Sequence, residues 1–153
     1  KLKQNPKSIT DKELDESYKK YRSVMGTAGS NMALSREPLG EIFRTGMGKA
    51  SESVGCGNEI EDSIRDMAVK IPSWPLYYSL FANDVKKGFD LTMERSQTYL
   101  DDARKALELL PENFSHRPFL EFLFLTVEHY NEFWFKRLQK ENIWSDLTTK
   151  LPK

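Results

Sequence analysis

Residues 75–110 read PLYYSLFANDVKKGFDLTMERSQTYLDDARKALELL, and this stretch decides the fold. Pro75 suits the first turn of a helix, and Pro111 ends the pattern. At about 100° per residue, apolar and small side chains share one face and charged side chains share the other. The apolar face comprises Phe81, Val85, Gly88, Phe89, Thr92, Ser96, Tyr99, Leu100, Ala103, Ala106, Leu107 and Leu110. This spacing predicts one helix of about 50 Å, with a break near Gly88 as the alternative.

A second long helix is predicted after a turn at residues 111–115. Ser115 is a suitable N-cap, Pro118 is tolerated in the first turn, and the pattern continues to about Asn142. Its apolar arc is interpreted as core and comprises Phe119, Phe122, Leu123, Val127, Tyr130, Phe133, Trp134 and Leu138. A final apolar segment follows, with Ile143, Trp144, Leu147 and Leu151.

The N-terminal part carries weaker helical signals. Thr10 and Glu13 form a capping-box pattern, and the helix that follows is predicted to end at Gly26. Seven of the eight glycines fall within residues 26–57. Because glycine costs about 1 kcal/mol relative to alanine inside a helix, this stretch is expected to hold short or loosely formed helices and loops. One such helix is predicted after Ser35 and another from an Asn58 cap to just before Pro72.

These patterns predict an all-α fold, since no segment shows sustained period-two alternation. We expect an irregular bundle, built on a long antiparallel helical hairpin with the glycine-rich N-terminal third packed across it. The chain of 153 residues suits a single domain. Its predicted parts are a flexible tail at 1–9, short helices and loops at 10–72, the hairpin at 75–141 and a short segment at 143–153.

Composition excludes several classes of function. Twenty-three basic and 23 acidic residues cancel, which argues against a protein that mainly binds nucleic acid. One cysteine cannot form an internal disulfide, and two histidines with one cysteine are too few for a usual zinc site, so neither a metal nor a cofactor is expected. The longest strongly apolar run, at 119–127, is far shorter than the ~20 residues that span a bilayer. The chain does not begin with methionine, so we expect a processed or excised form.

Two aromatic residues of the second long helix do not belong to its apolar arc. Phe124 and Phe135 lie together on the opposite side of that helix, beside Glu128 and Asn131. Either the rest of the chain covers them, or they form a surface for a partner protein or for self-association. The leading hypothesis for function is therefore a non-enzymatic interaction or regulatory module that binds through a helical aromatic face.

Cys56 is the second candidate site. It lies between Gly55 and Gly57 and precedes the helix predicted from Asn58, where exposed N–H groups would stabilise a thiolate. The alternative function is thus a thiol-dependent enzyme, with Cys56 as nucleophile and His116 or His129 as base. Alternatively, Cys56 is a small buried residue without a catalytic role.

The remaining motifs are weak. The stretch at 46–49 resembles a phosphate loop, but Phe43 and Ala50 stand where that loop needs glycine and a hydroxyl residue. Glu121, Glu128 and Glu132 are interpreted as a solvated stripe, because neither histidine has the Glu-x-x-His spacing of a di-iron bundle. A third function, binding of a small ligand between the glycine-rich third and the hairpin, stays open, as does a pocket shared by Trp74 and Trp144.

Overall fold

The computed structural model describes residues 8–22, 39–69, 71–140 and 143–151. These residues form seven helices and no strand, which confirms the all-α bundle. The helices are α1 (Asp11–Ser17), α2 (Leu39–Glu61), α3 (Ser63–Val69), α4 (Trp74–Ala82), α5 (Val85–Glu108), α6 (Arg117–Lys140) and α7 (Trp144–Lys150). None of them combines the length and apolar character that crossing a bilayer requires. The predicted helix end at Gly26, the predicted start after Ser35 and residues 1–7 of the predicted tail lie outside the described residues.

The capping box at the start of α1 is confirmed. The Glu13 backbone N–H donates to Thr10 Oγ1 (3.3 Å), and the Thr10 N–H donates to Glu13 Oε2 (3.1 Å). These two bonds satisfy N–H groups that the first turn of a helix otherwise leaves free. Leu14 and Tyr18 then face the core, so this short helix is held on α2 by buried side chains.

The expectation of short or loose helices in the glycine-rich stretch is wrong for its described part. Residues 39–61 form one 23-residue helix, α2, which runs through five glycines, and Asn58 lies inside that helix and does not cap another. Most residues of α2 are buried. The propensity cost of glycine is a small local term, and tertiary packing outweighs it here.

The glycines of α2 lie where neighbouring helices come closest. A methyl group added at Gly57 would meet Tyr130 Cε1 of α6 at 2.8 Å, and one at Gly46 would meet Leu107 Cγ of α5 at 2.6 Å. Both distances are shorter than side-chain carbons tolerate. The absence of a side chain at these positions therefore sets how closely α5 and α6 approach α2.

Helix α2 lies between α5 and α6 along much of their length. It packs more extensively against each of them than they pack against each other. The direct contacts between α5 and α6 show that the two are antiparallel: Asn131 bonds Ser96, Glu128 bonds Arg104, and Arg117 bonds the Leu110 carbonyl. The core is thus a three-helix arrangement centred on the glycine-rich helix.

A buried polar cluster joins these three helices. The hydroxyls of Ser53 in α2 and Ser96 in α5 are hydrogen-bonded at 2.7 Å. The Asn131 amide of α6 donates to Ser96 Oγ (2.6 Å) and to the Ser53 carbonyl (3.2 Å). All three side chains are buried, so each depends on the other two for hydrogen bonds that water cannot supply.

The preferred prediction of one helix over 75–110 is wrong, and the chain turns back between α4 and α5. Asn83 adopts the left-handed conformation (φ 51°) as the C-cap of α4, and Asp84 caps α5 by accepting from the Lys87 N–H at 2.9 Å. Gly88 lies beyond the break, where a methyl group would meet Ser79 Cα at 2.6 Å. Within α5 the predicted apolar face is nevertheless buried from Val85 to Leu107, apart from the half-buried Ala106. Phe81, which was predicted on the same face, lies in α4 and is exposed.

Replacing Gly57 by alanine is expected to lower the free energy of unfolding by about 2 kcal/mol, although alanine favours helix by about 1 kcal/mol. The added methyl group would displace Tyr130 and Asn131. Urea unfolding measures the change. Thr45→Ala, at an exposed position of the same helix, is the control and should stabilise slightly. A stabilised Gly57→Ala variant would contradict this packing.

Candidate functional site

The outer face of α6 carries large apolar side chains that solvent reaches. Phe119, Phe122, Leu125 and Phe133 are 51%, 65%, 51% and 56% exposed. Phe119, Phe122 and Leu125 follow one another at three-residue spacing along the helix, and Phe133 lies about two turns beyond Leu125, past the exposed Thr126 and His129. We call these four residues the aromatic stripe.

The predicted core arc of α6 is therefore rotated by roughly a quarter of a turn relative to the structure. Phe119, Phe122 and Phe133 were expected in the core and are exposed. The buried edge is instead made of Leu120, Phe124, Val127, Asn131 and Leu138. A helix with apolar residues nearly all round does not reveal its phase by hydrophobicity alone.

The pair of phenylalanines predicted as an interface is covered by the chain itself. Phe124 is 2% exposed and lies in a core cluster with Phe43 and Met47 of α2, so it is not available to a partner. Phe135 is half-buried, and its ring centroid lies 6.4 Å from that of Trp144. Helix α2 and the segment at 143–151 thus cover these two side chains, which is the first of the two alternatives given by the sequence.

The two polar residues predicted beside that pair lie in different environments. Asn131 is 2% exposed and belongs to the buried polar cluster, which corrects its assignment to an interface. Glu128 remains partly exposed and forms an ion pair with Arg104 of α5, with 2.7 Å between Oε1 and Nη2. The hydrogen bonds of Asn131 explain the phase of α6, because they are available only on the side that faces Ser53 and Ser96.

Two shallow grooves lie along the seam between α5 and α6. The larger has a volume of about 220 Å³ and is lined by Met93, Ser96, Gln97, Leu100, Glu128, Asn131 and Glu132. The smaller, of about 100 Å³, is lined by Arg104, Leu107, Glu108, Arg117, Leu120, Glu121 and Phe124. The residues that line the two grooves belong to α5 and α6, so neither groove is the ligand site expected next to the glycine-rich third.

Cys56 does not have the surroundings of a nucleophile. It lies inside α2 and is fully buried against Leu14, Tyr18, Trp74 and Tyr99. Burial, with a smaller effect of the nearby Glu59 carboxylate, raises the pKa of its thiol well above the usual value. Both histidines are exposed. His116 lies in the connection between α5 and α6, and His129 lies on the outer face of α6. The helix start that was expected to activate Cys56 does not exist.

A buried carboxyl group ties α1 to the rest of the bundle. Glu59 Oε2 accepts hydrogen bonds from the Tyr18 hydroxyl and from the Trp74 N–H (2.9 Å) at the start of α4. Burial raises the pKa of Glu59 to about 7, although both hydrogen bonds lower it. About two turns earlier in α2, Glu52 is also buried and pairs with Arg22 (Nε–Oε1 2.8 Å) and Lys49.

Trp74 and Trp144 do not share a pocket. Trp74 stacks on Tyr78 (centroids 5.2 Å apart) beneath α1, whereas Trp144 packs on Phe89 (5.1 Å) in a different cluster. Within the residues that the structure describes, no group of three or more histidine, cysteine, aspartate or glutamate side chains is arranged to hold a metal ion. The aromatic stripe is the feature that the fold leaves unexplained.

Comparison of the chain with models of protein families, with curated proteins and with solved structures finds no match.

Alanine substitutions separate the two faces of α6. Phe124→Ala is expected to lower the free energy of unfolding by about 3–5 kcal/mol, because it leaves a cavity in the core. Phe122→Ala should change it by less than about 1 kcal/mol, since the ring is 65% exposed. Equal losses in urea unfolding would contradict this assignment of faces.

Glu59 should make stability depend on pH. A carboxyl whose pKa is raised on folding binds its proton more tightly in the folded state, so the free energy of unfolding falls as pH rises from 4.5 to about 7. Its contribution to that fall is about 3 kcal/mol. Glu59→Gln keeps a hydrogen-bond acceptor but carries no charge. Across this pH interval, its free energy of unfolding should therefore rise by this amount relative to that of the wild type.

Urea unfolding at a series of pH values tests this. Glu112→Gln, at an exposed position, is the control and should follow the wild-type profile. If the Glu59→Gln and wild-type profiles are parallel, Glu59 does not titrate as described.

Proposed function

We propose that this chain is a protein-interaction module that binds another protein through the outer face of α6. The observation that carries the proposal is the aromatic stripe, three phenylalanines and a leucine that are each more than half exposed. The interaction hypothesis drawn from the sequence is thus retained, but its surface is moved from Phe124 and Phe135 to the opposite edge of the same helix.

The size of the stripe supports this proposal. With about 200 Å² for a complete phenylalanine side chain, the four exposed fractions amount to roughly 400 Å² of apolar surface. Exposed apolar side chains that neighbour one another, as Phe119, Phe122 and Leu125 do, are commonly sites of interaction. Scattered exposed residues such as Phe81 need no such explanation.

The support beneath the stripe also favours recognition. Helix α6 is anchored by Asn131 and by the packing of Leu120, Phe124 and Val127 against α2 and α5. Large aromatic side chains on a rigid helix lose little conformational entropy when they bind. The face is therefore pre-organised to receive a partner without rearranging the fold.

Photo-crosslinking tests the proposal. A photoreactive phenylalanine analogue at position 122 is expected to give a discrete adduct with another protein in an extract of the source cells. Serine at positions 119 and 133 should abolish it, because these residues flank the contact. Position 81 is the matched control, since Phe81 is 76% exposed but lies outside α6. If positions 122 and 81 give the same pattern of adducts, the stripe is not an interaction site.

A further inference from the structure

Helix α1 is attached to the bundle differently from the other described helices. Each of α2–α7 has backbone contact with a neighbour, whereas α1 has no extended backbone contact with another described helix. We call α1 together with its C-cap residue Tyr18 the latch (residues 11–18). Its main contacts are made by three side chains: Leu14 and Tyr18 are buried, and Asp15 accepts a hydrogen bond from the Tyr99 hydroxyl of α5 at 2.7 Å. Removal of the latch would break these contacts and leave those among the other helices in place.

The chain directly after the latch lies closer to α2. A methyl group added at Gly48 would meet Arg22 Cγ at 2.7 Å, and one added at Gly55 would meet Tyr21 Cδ2 at 2.9 Å. Arg22 also pairs with the buried carboxylate of Glu52. We therefore expect residues 21–22 to stay on α2 when the latch moves away.

The Glu59 carboxyl lies beneath the latch without a counter-ion. Its side chain is buried, and its two hydrogen-bond donors, the Tyr18 hydroxyl and the Trp74 N–H, are neutral. Among the described residues no ion pair includes Glu59, whereas Glu52 of the same helix pairs with Arg22. A buried carboxylate without a counter-ion is costly, and the cost falls when water reaches it. Ionisation of Glu59 therefore favours a state in which the latch is away.

The charges around Glu59 do not remove this cost. Lys20, which is exposed, lowers the pKa of Glu59, and Asp66 of α3 raises it, but burial has the largest effect and raises that pKa to about 7. Around Glu59 and the neighbouring Cys56, the other ionisable groups are Tyr18 and Tyr21 from the N-terminal segment, Glu52 from α2, Asp62 after α2 and Arg95 from α5. With the latch away the carboxyl is hydrated, so its pKa falls toward the ordinary value.

We propose that the latch is a pH-sensitive cover, which protonated Glu59 holds closed and which ionisation of Glu59 releases, uncovering the side of α2 that carries Cys56. Because the closed state binds the proton more tightly, release becomes more favourable as pH rises from 4.5 to about 7 and changes little above that pH. The aromatic stripe has no part in this device, which therefore goes beyond the proposed function.

The single thiol reports on the latch. Cys56 is the only cysteine of the chain, is fully buried and belongs to the cluster that Leu14 and Tyr18 complete. A soluble disulfide reagent should therefore reach it when the latch is open. Its reaction rate in the unfolded chain, divided by that in the native protein at the same pH, gives a protection factor that is corrected for thiol ionisation. We expect this factor to fall at least about tenfold from about pH 5 to about pH 7.5.

Three variants assign the effect to Glu59. Glu59→Gln should give a protection factor that does not change with pH over this interval, because glutamine carries no charge. Glu112→Gln, at an exposed position, is the matched control and should follow the wild type. Asp15→Asn weakens the bonds to Tyr99 and Arg95 but keeps Glu59, so it should lower the protection factor about three- to tenfold at each pH and keep its pH dependence.

Tyr18→Phe gives a second test that does not alter the carboxyl. The ring stays, but the hydroxyl that donates to Glu59 is lost. Since that bond lowers the pKa of Glu59 in the closed state, its loss should make the fall in protection between the two pH values larger than in the wild type.

Hydrogen exchange separates release of the latch from unfolding of the bundle. The amides of Leu14 to Ser17 should lose protection in parallel with Cys56 as pH rises, while those of α2 and α5 remain protected. The protection factor of Cys56 should also change little in dilute urea, because release exposes little surface.

Several outcomes would overturn the proposal. One is a protection factor of Cys56 that is independent of pH, and another is a wild-type pH dependence that persists in Glu59→Gln. If the free energy of opening at Cys56 equals the free energy of unfolding from urea, the thiol is reached only through global unfolding and the latch does not open on its own. None of these results bears on the outer face of α6, so the interaction module is tested separately.

Discussion

The close approach of α5 and α6 to the glycine-bearing helix α2 is the contact on which the rest of the structure depends. Gly46 and Gly57 leave room for Leu107 and for Tyr130 and Asn131, which brings the helix axes near enough for Ser53, Ser96 and Asn131 to meet. The buried Asn131 amide nitrogen finds its hydrogen-bond acceptors only where Ser53 and Ser96 meet, so the cluster favours one register of the three helices. Without that approach, α5 and α6 would be left with the limited contact that they make directly.

Part of this architecture could be predicted from the sequence. The apolar periodicity of residues 85–107 gives the buried face of α5 correctly, and the pattern Thr10 to Glu13 gives the start of α1. Both signals are local, because the side chains that produce them belong to the helix that they predict. The break at Asn83-Asp84 was also a local signal, a C-cap residue followed by an N-cap residue, but the helical phase across it concealed the turn.

The central helix α2 could not be predicted, because packing against other segments of the chain stabilises it. Glycine propensity indicates a loose chain at residues 39–57, whereas the same glycines allow close contacts that a single sequence does not display. The prediction of the buried face of α6 was wrong for a related reason. Apolar side chains surround that helix, and its buried edge was selected by Asn131, a polar residue that a hydrophobic pattern assigns to the surface. The candidate site followed this error, so Phe124 was named when Phe122 is the exposed ring.

The proposed function is a consequence of the same geometry. Once α2 occupies the inner side of α6, the aromatic residues on its outer side have no further helix among the described residues to cover them. The limited direct contact between α5 and α6 also leaves the seam open as two grooves that are lined by side chains of both helices. A partner protein bound to the outer face of α6 would cover these side chains.

Native-state hydrogen exchange of the α2 amides tests the central claim most directly. If α2 is the packed centre of the bundle, amides from Met47 to Glu59 exchange only through global unfolding and have the highest protection in the chain. Their apparent free energies of exchange should then equal the free energy of unfolding from urea denaturation. If these amides instead exchange through local openings, with lower protection than those of α5 and α6, the glycine-rich segment is a loose element and the account is contradicted.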